Sequence, residues 1–298
     1  MPSRVAVLLA AYNGVKYLPQ QLESILSQVG VFVDVYISVD DSTDGTEQYI
    51  LKESEKFNNI HPLPFGMKFG GAAKNFYHLL MNVDISKYDY ISLSDQDDIW
   101  ESNKLIRGIE KLIENRVNGY SSNVMAFWES GRNILIDKSQ PQVKYDYLFE
   151  AAGPGCTYIL DVKLANDIGA FINNNYKALS GIDLHDWFIY AYARSNNYSW
   201  YIDSYPGMKY RQHASNQVGA NESLSGALKR LYLIRRKWYR NQIINIATIL
   251  QLNNNPFVQR TLYNGYMGNI YMAFKIHQTR RRLRDRALLS LALFLNFF

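Results

Sequence analysis

The sequence predicts an α/β fold: a mostly parallel β-sheet flanked by helices, followed by a basic helical extension. Three observations carry this. Apolar runs of strand length alternate with segments of helical period through the first third of the chain. The runs end in polar clusters, at Tyr12-Asn13, Asp40-Asp41 and Asp95 to Asp98. The charge then changes sign: residues 1–222 hold nineteen basic and twenty-six acidic residues, and residues 223–298 hold thirteen Lys/Arg and one acid, Asp285. That contrast sets the expected domain division at 222/223.

The first element, "RVAVLLAAY", is an apolar run ending at Asn13-Gly14. It reads as a buried strand rather than a leader peptide, because no small-residue cleavage site follows. Leu18, Leu22, Ile25, Leu26 and Val29 then share one helical face. "VDVYISV" alternates with period two and stops at Asp40-Asp41. "STDGT" is a turn into a helix with Thr46 as N-cap. "GGAAKNFYHLLMNV" is a glycine-led helix and "YDYISL" a strand; Leu105, Ile106, Ile109, Leu112 and Ile113 mark the helix beyond. "VMAFWESGRNILI" predicts a hairpin turning at Ser130 to Asn133. "GPGCTYIL" is a bend into a strand, and "DLHDWFIYAYARS" a helix capped by Asp183, with His185 and Asp186 in its first turn. "WYID" and "MKYRQH" are short strands.

Composition narrows the setting. The one cysteine, Cys156, excludes an internal disulfide framework and points to a reducing compartment. "KRLYLIRRKWYR" and "RRRLRDRALLSLALFLNFF" interleave basic and apolar residues, without a nucleic-acid motif, so nucleic acid is not an expected partner. As a helix, the run from Ala287 to Phe298 would reach about 18 Å, against ~30 Å of hydrocarbon core. It is expected to lie on an anionic membrane surface rather than to span it. A helical bundle that packs the apolar faces is the alternative.

The chemistry gathers at the strand ends. In sheets of this kind ligands bind beyond the carboxyl ends of the strands, so the three polar clusters converge on one rim. "LSDQDDIW" places three carboxylates within four positions there. Such crowding raises each carboxyl's pKa unless a cation offsets it. Hard oxygen donors suit Mg²⁺ or Mn²⁺, with phosphate oxygens completing the shell. The pair Asp95 and Asp97 therefore fits a metal-diphosphate. An acidic turn that caps the next helix through Asp98 fits the same residues.

"AAYNG", "VDDSTDGT", "GGAAKN" and "LSDQDDIW" occur in this order. Together they resemble the inverting glycosyltransferases of family 2, with the GT-A fold, over roughly Val5 to Ala220. "SDQDDIW", "LHDWF" and "YRQH" followed by "NQVGA" resemble its bacterial rhamnosyltransferase branch. The resemblance implies roles for residues of this chain. Ala11, Tyr12 and Asn13 would line the nucleotide pocket, and Asp40 would bond the pyrimidine edge. Here "VDDSTDGT" is one residue shorter than the family pattern, and Asp41 takes its glycine position. Lys74 and Asn75 would approach ribose or phosphate, Asp95 and Gln96 the nucleotide, and Arg211 the phosphate. Asp97 and His213 would hold Mn²⁺ or Mg²⁺, with Asp98 in support. Asp186 would be the catalytic base, with His185 where glutamate is usual. Gly155, Cys156, His185 and Trp187 would line the acceptor side, and the loop of Asn216 and Gln217 would close over the donor.

The function so implied is sugar transfer from a nucleotide-diphosphate donor to an oligosaccharide or lipid-linked glycan of the bacterial surface. The implied donor is dTDP-L-rhamnose, with a UDP-hexose as the alternative. The implied location is cytoplasmic, on the inner face of the cell membrane. Two readings belong to other classes. A sugar nucleotidyltransferase would release pyrophosphate from a nucleoside triphosphate. A non-catalytic membrane partner of another transferase would bind nucleotide poorly and turn nothing over.

Overall fold

The computed structural model describes residues 2–213 and 236–298. Asn216, Gln217 and the basic stretch up to residue 235 lie outside the described residues, as does the division expected at 222/223. The chain forms two compact units. The first comprises Met1–Ser139, Ala152–Tyr176 and Leu184–His213; the second comprises Gln140–Ala151, Lys177–Asp183 and Ala214–Phe298. The second unit thus draws on two segments from the middle of the chain.

In the first unit the strands are β1 (Ser3–Ala11), β2 (Val31–Val39), β3 (Ile60–Pro62), β4 (Tyr90–Ser94), β5 (Ile99–Trp100) and β6 (Gly119–Ser122). They continue with β7 (Val124–Phe127), β8 (Asn133–Ile136), β9 (Ile159–Asp161), β10 (Trp200–Asp203) and β11 (Met208–Arg211). A seven-stranded sheet runs β10-β6-β9-β4-β1-β2-β3. Its pairings are parallel except those of β9, which lies antiparallel to β4 and β6. β1 is central and buried from Val5 to Ala11, as an unbroken apolar run in a two-sided sheet requires.

The helices α1 (Leu18–Leu26), α2 (Thr46–Lys56), α3 (Ala72–Asn82) and α4 (Lys104–Asn115) follow in order. α5 (Asp146–Phe149) belongs to the second unit; α6 (Val162–Asn175) and α7 (His185–Ser195) return to the first. Leu18, Leu22 and Ile25 bury one face of α1, but the helix ends at Leu26 and leaves Val29 exposed in the turn. On α4 Leu105, Ile109 and Leu112 face the core, and Ile113 faces solvent. Thr46 does not cap α2. Gly45, at φ 91°, holds the cap position, and Thr46 is the first helical residue. Asp183 does not cap α7 either: Leu184 precedes the helix, and the Asp183 carboxylate accepts from Trp238 Nε1 at 2.6 Å and Gln242 Nε2 at 3.3 Å.

A smaller sheet runs β5-β11-β7-β8. β7 and β8 form the expected hairpin, Phe127 opposite Asn133. β11 pairs antiparallel with β5, Met208 opposite Trp100 and Lys209 opposite Ile99. This register carries the residues after Arg211 back alongside the acidic loop before Ile99.

The second unit is helical, with α5 and helices at Trp238–Ile249, Pro256–Leu262, Gly265–Phe274 and Leu283–Phe294. Its core includes Ile243, Ile246, Phe257, Val258, Leu262, Met272 and Leu293. The basic patch is not wholly a surface. Arg281, with a side chain 0% exposed, meets Asp146 at 3.1 Å and Glu150 at 3.5 Å. Arg280 meets Asp285 at 3.3 Å and donates to the Phe149 carbonyl. Arg284 and the apolar Leu283, Leu288, Leu291, Phe294 and Leu295 remain outward. Among the described residues no helix is long and apolar enough to cross a membrane.

Candidate active site

The rim is held together by side chains bonded to backbone. Asn13, in the left-handed region at φ 45°, accepts from Thr43 N through Oδ1, and its own N–H donates to Ser42 Oγ. Gly14 N donates to Thr46 Oγ1 and Val15 N to Asp44 Oδ2. These bonds tie the loop after β1 to the loop after β2. Gln96 ties β1 to the acidic loop: its Oε1 accepts from Tyr12 N at 2.7 Å, and its Nε2 donates to Tyr12 O at 2.8 Å. A Cβ on Gly14 would lie 2.2 Å from Gln96 Oε1, so the glycine is needed for that approach. Tyr12 itself is 55% exposed on the rim.

Several expected ligand contacts are occupied by the protein. Asp40 is buried, and its carboxylate accepts from Asp41 N, Phe69 N and Gly70 N, anchoring the loop before α3. Asn75 is buried and donates to Ala11 O and Ser38 O, latching α3 to the ends of β1 and β2. Lys74 is exposed on the preceding position of α3. Arg211 donates from Nε to Asp97 O at 2.7 Å and from a terminal nitrogen to Gln20 Oε1 at 2.6 Å, while its N–H reaches Asp98 Oδ1. Its guanidinium also faces Tyr17 and Phe127. Gln96, Asn75 and Arg211 therefore shape the rim, where the sequence had offered them as ligand contacts.

The acidic loop separates its three carboxyls by depth. Asp97, 14% exposed, pairs with His213: Oδ2 and Nε2 lie 2.6 Å apart across 116 positions of sequence. The His213 ring stacks on Tyr17 at 5.2 Å. Asp98 is fully buried, and one of its oxygens has no partner within hydrogen-bonding distance. Burial first, then the Asp97 and Asp95 charges, hold its carboxyl well above the ordinary range. Burial and the neighbouring Asp97 push Asp95 up to about 7. This is the mutual repulsion that the spacing implied.

Two sets of groups compete as a cation cradle. Asp95, Asp98 and Cys156 offer donor atoms within 4.8 Å of one another. Burial and the two acids push the Cys156 thiol up, so it stays protonated, and a thiol is a poor ligand for a hard cation. Asp97 and His213, with Asp95 beside them, form the better set: part-exposed carboxylate oxygens and one imidazole. That donor chemistry fits Mn²⁺ or Mg²⁺.

Asp186 opens α7. A first-turn carboxylate is favoured by the helix dipole. Burial outweighs that and raises Asp186 to about 6, against a bond from Trp187 N at 2.7 Å and the Lys138 charge, which lower it. Asp186 is close enough to Asp95 for its charge to raise that group as well. His185 is buried, stacked on Phe76 at 4.0 Å, and pushed down to about 3 by burial; it is neutral. A Cβ on Gly155 would lie 2.4 Å from His185 Nε2 and 3.2 Å from Asp186 Cβ. Gly155 thus backs directly on the His-Asp pair. Cys156 and Trp187 do not face an open acceptor side; both are buried.

Sequence reasoning missed Lys104, Tyr17, Gln20 and Tyr210. Lys104 opens α4 at only 2% exposed, its Nζ over the Trp100 ring and donating to Ser92 Oγ, where a helical lysine is ordinarily a surface residue. Tyr17 and Gln20 are ordinary residues of the α1 region that brace His213 and Arg211. Tyr210, in "MKYRQH", is held well above the usual tyrosine range by burial and by Cys156, Asp95 and Asp98. Its β-strand alternation with Arg211 was the available signal.

Comparison with known proteins agrees with this geometry. The Glycosyl transferase family 2 profile matches residues 6–155. The chain is 47% identical, over 97% of its length and 100% of the relative's, to dTDP-rhamnosyl transferase RfbG of Shigella flexneri. In fold it is similar to S. aureus TarS 1–349 in complex with UDP-GlcNAc, with a TM-score of 0.53 at 15% identity, covering 99% of this chain and 89% of that one. It is also similar to a mannosyltransferase of Pyrobaculum calidifontis in complex with GDP-Man and Mn²⁺, with a TM-score of 0.53 at 15% identity, covering 100% and 82%. A strand-end rim with a paired aspartate and histidine and a part-buried helix-start carboxylate, on a chain with these likenesses, makes it a glycosyltransferase of family 2.

Proposed function

We propose that this enzyme transfers L-rhamnose, with inversion, from dTDP-L-rhamnose to a hydroxyl of a bacterial surface glycan carried on lipid. The observation that carries the donor is the 47% identity to the Shigella dTDP-rhamnosyl transferase over 97% of this chain. Asp97 and His213, with Asp95 beside them, would hold a divalent cation, Mn²⁺ or Mg²⁺. When bound, that cation supplies charge neutralisation to the leaving diphosphate. Arg211 holds the acidic loop in register for it, and Gln96 couples that loop to the exposed Tyr12, on which the nucleotide rests.

Asp186 takes the proton of the acceptor hydroxyl as its oxygen bonds to the anomeric carbon, opposite the breaking bond to diphosphate. A carboxyl raised to about 6 is still mostly ionised at pH 7, yet is a stronger base than an ordinary aspartate. Neutral His185 keeps Asp186 free of a competing cation.

The second unit suits a membrane surface. Leu288 and Leu291 are exposed on a helix that also presents Arg284, which matches anionic headgroups over acyl chains. Such placement puts the enzyme beside a lipid-linked acceptor on the cytoplasmic face of the membrane.

The test is release of nucleoside diphosphate by the purified protein with Mn²⁺ and an acceptor-lipid extract. We expect turnover with dTDP-L-rhamnose, little with UDP-glucose, and loss with chelator and with Asp97→Ala. Faster turnover of UDP-glucose would replace the donor, and chelator resistance would remove the metal. Co-sedimentation with anionic vesicles, weakened by Leu288→Ser with Leu291→Ser, checks the membrane reading.

A further inference from the structure

Asp186 stands in the first turn of α7, where a helix has backbone groups to spare and frays most easily. Leu184 holds the cap position and offers no capping side chain. The turn is pinned from outside the helix instead, by Tyr158. The Tyr158 hydroxyl donates to the Asp186 carbonyl at 3.2 Å and accepts from Ala152 N at 3.2 Å. Neither role can be exchanged, since a carbonyl only accepts and an amide N–H only donates. Tyr158 is fully buried, and its own backbone is rooted in the sheet: its carbonyl accepts from Leu93 N and from Ser92 Oγ of β4, both at 3.1 Å. Its ring lies edge-on to Trp200 with centroids 4.8 Å apart, and Trp200 meets Tyr190 of α7 at 5.3 Å. Gly155 closes the other side, where a Cβ would lie 3.2 Å from Asp186 Cβ. One short bend of chain thus carries both a wall and a strut for Asp186. The carboxylate has a tether of its own: Trp187 N donates to Oδ1 at 2.7 Å, which leaves Oδ2 to take a proton. That tether travels with the helix start, so whatever fixes the helix start fixes the carboxylate.

We infer that Tyr158 is a positioning residue for sugar transfer: its hydroxyl holds the Asp186 main chain where the carboxylate reaches the acceptor hydroxyl. A general base works only within hydrogen-bond reach of the proton it takes, and a misplacement of about 1 Å costs about 10²-fold in rate. Tyr158 touches no reacting atom and acts through Asp186 alone. The inference rests on Asp186 as the base proposed above.

The experiment compares Tyr158→Phe with the parent and with Asp186→Asn, using dTDP-L-rhamnose, Mn²⁺ and the acceptor-lipid extract. Phenylalanine keeps the ring and removes only the hydroxyl. Turnover is counted per dTDP-binding site, so that any loss of folded protein drops out. We expect kcat per site to fall about tenfold, with dTDP affinity and donor KM within about twofold of the parent. Parental kcat per site with a lower thermal midpoint would make Tyr158 merely structural and overturns the inference. Equal losses of kcat and dTDP affinity would mean that the whole rim has shifted, and overturn it too. If Tyr158→Phe is insoluble, Gly155→Ala takes its place, because it crowds the same helix start from the other side. A loss confined to kcat in that variant supports the inference, and parental kcat per site overturns it. Parental turnover in Asp186→Asn defeats the base and the inference together. Parental kcat in Tyr158→Phe beside an inactive Asp186→Asn defeats the inference alone.

Discussion

The two units bury charge in opposite ways. In the second unit Arg281 is enclosed by Asp146, Glu150 and the Ala151 carbonyl, and Arg280 by Asp285 and the Phe149 carbonyl. Acids and bases answer one another there. In the first unit Asp95, Asp97 and Asp98 crowd one loop, Asp98 keeps an unpartnered oxygen, and the buried Arg211 meets the loop through the Asp97 carbonyl rather than a carboxylate. A matched ion cluster fastens chain segments together. An unmatched one is held at a cost in stability, and such costs gather at functional sites.

The comparison can be broken in four ways, from the largest effect downward. Asp186→Asn is expected to lower turnover by about 10²–10⁴-fold, the usual share of a general base, while nucleotide affinity stays put. Parental turnover in that variant would hand the base to another group. Arg281→Met is expected to destabilise the second unit by about 3–5 kcal/mol, because it strands buried Asp146 and Glu150. Denaturant unfolding measures it, and a loss below 1 kcal/mol would mean that the cluster is not matched.

The third is a pH profile. Asp186 must be ionised to take a proton, so turnover should fall tenfold per unit as pH drops below about 6 and level off above it. A rate that is flat from pH 5 to 7 would contradict this. The smallest effect is on stability. The folded state raises Asp95 above its unfolded value, so its ionised form costs stability at high pH and nothing once both states are protonated. Asp95→Asn should therefore raise the thermal midpoint by a few degrees at pH 8 and leave it unchanged below about pH 3.

Much of the first unit was legible because its strands are apolar runs punctuated by polar ends. β1, β4, the β7–β8 hairpin and α7 all stand where the pattern placed them. So does the pairing of Asp97 with His213, two residues that the family resemblance assigned to one metal. What the letters did not reveal is the direction in which a polar side chain reaches. Gln96, Asn75 and Arg211 stand beside the rim as expected, yet their hydrogen bonds go to main-chain and side-chain acceptors of the protein. Periodicity marks an apolar face and leaves long amphipathic side chains undetermined. That is why the burial of Lys104 and Arg281 could not be read from the sequence.

The register of β5 against β11 has a consequence for how the protein is made. Asp97 leaves the ribosome more than a hundred residues before His213, and Trp100 meets Met208 only when the whole of the first unit's sequence has emerged. The cradle is therefore a late product of folding, closed by contacts of long sequence separation, which form slowly. A chain interrupted before β11 would carry the acidic loop without the His213 that pairs with Asp97.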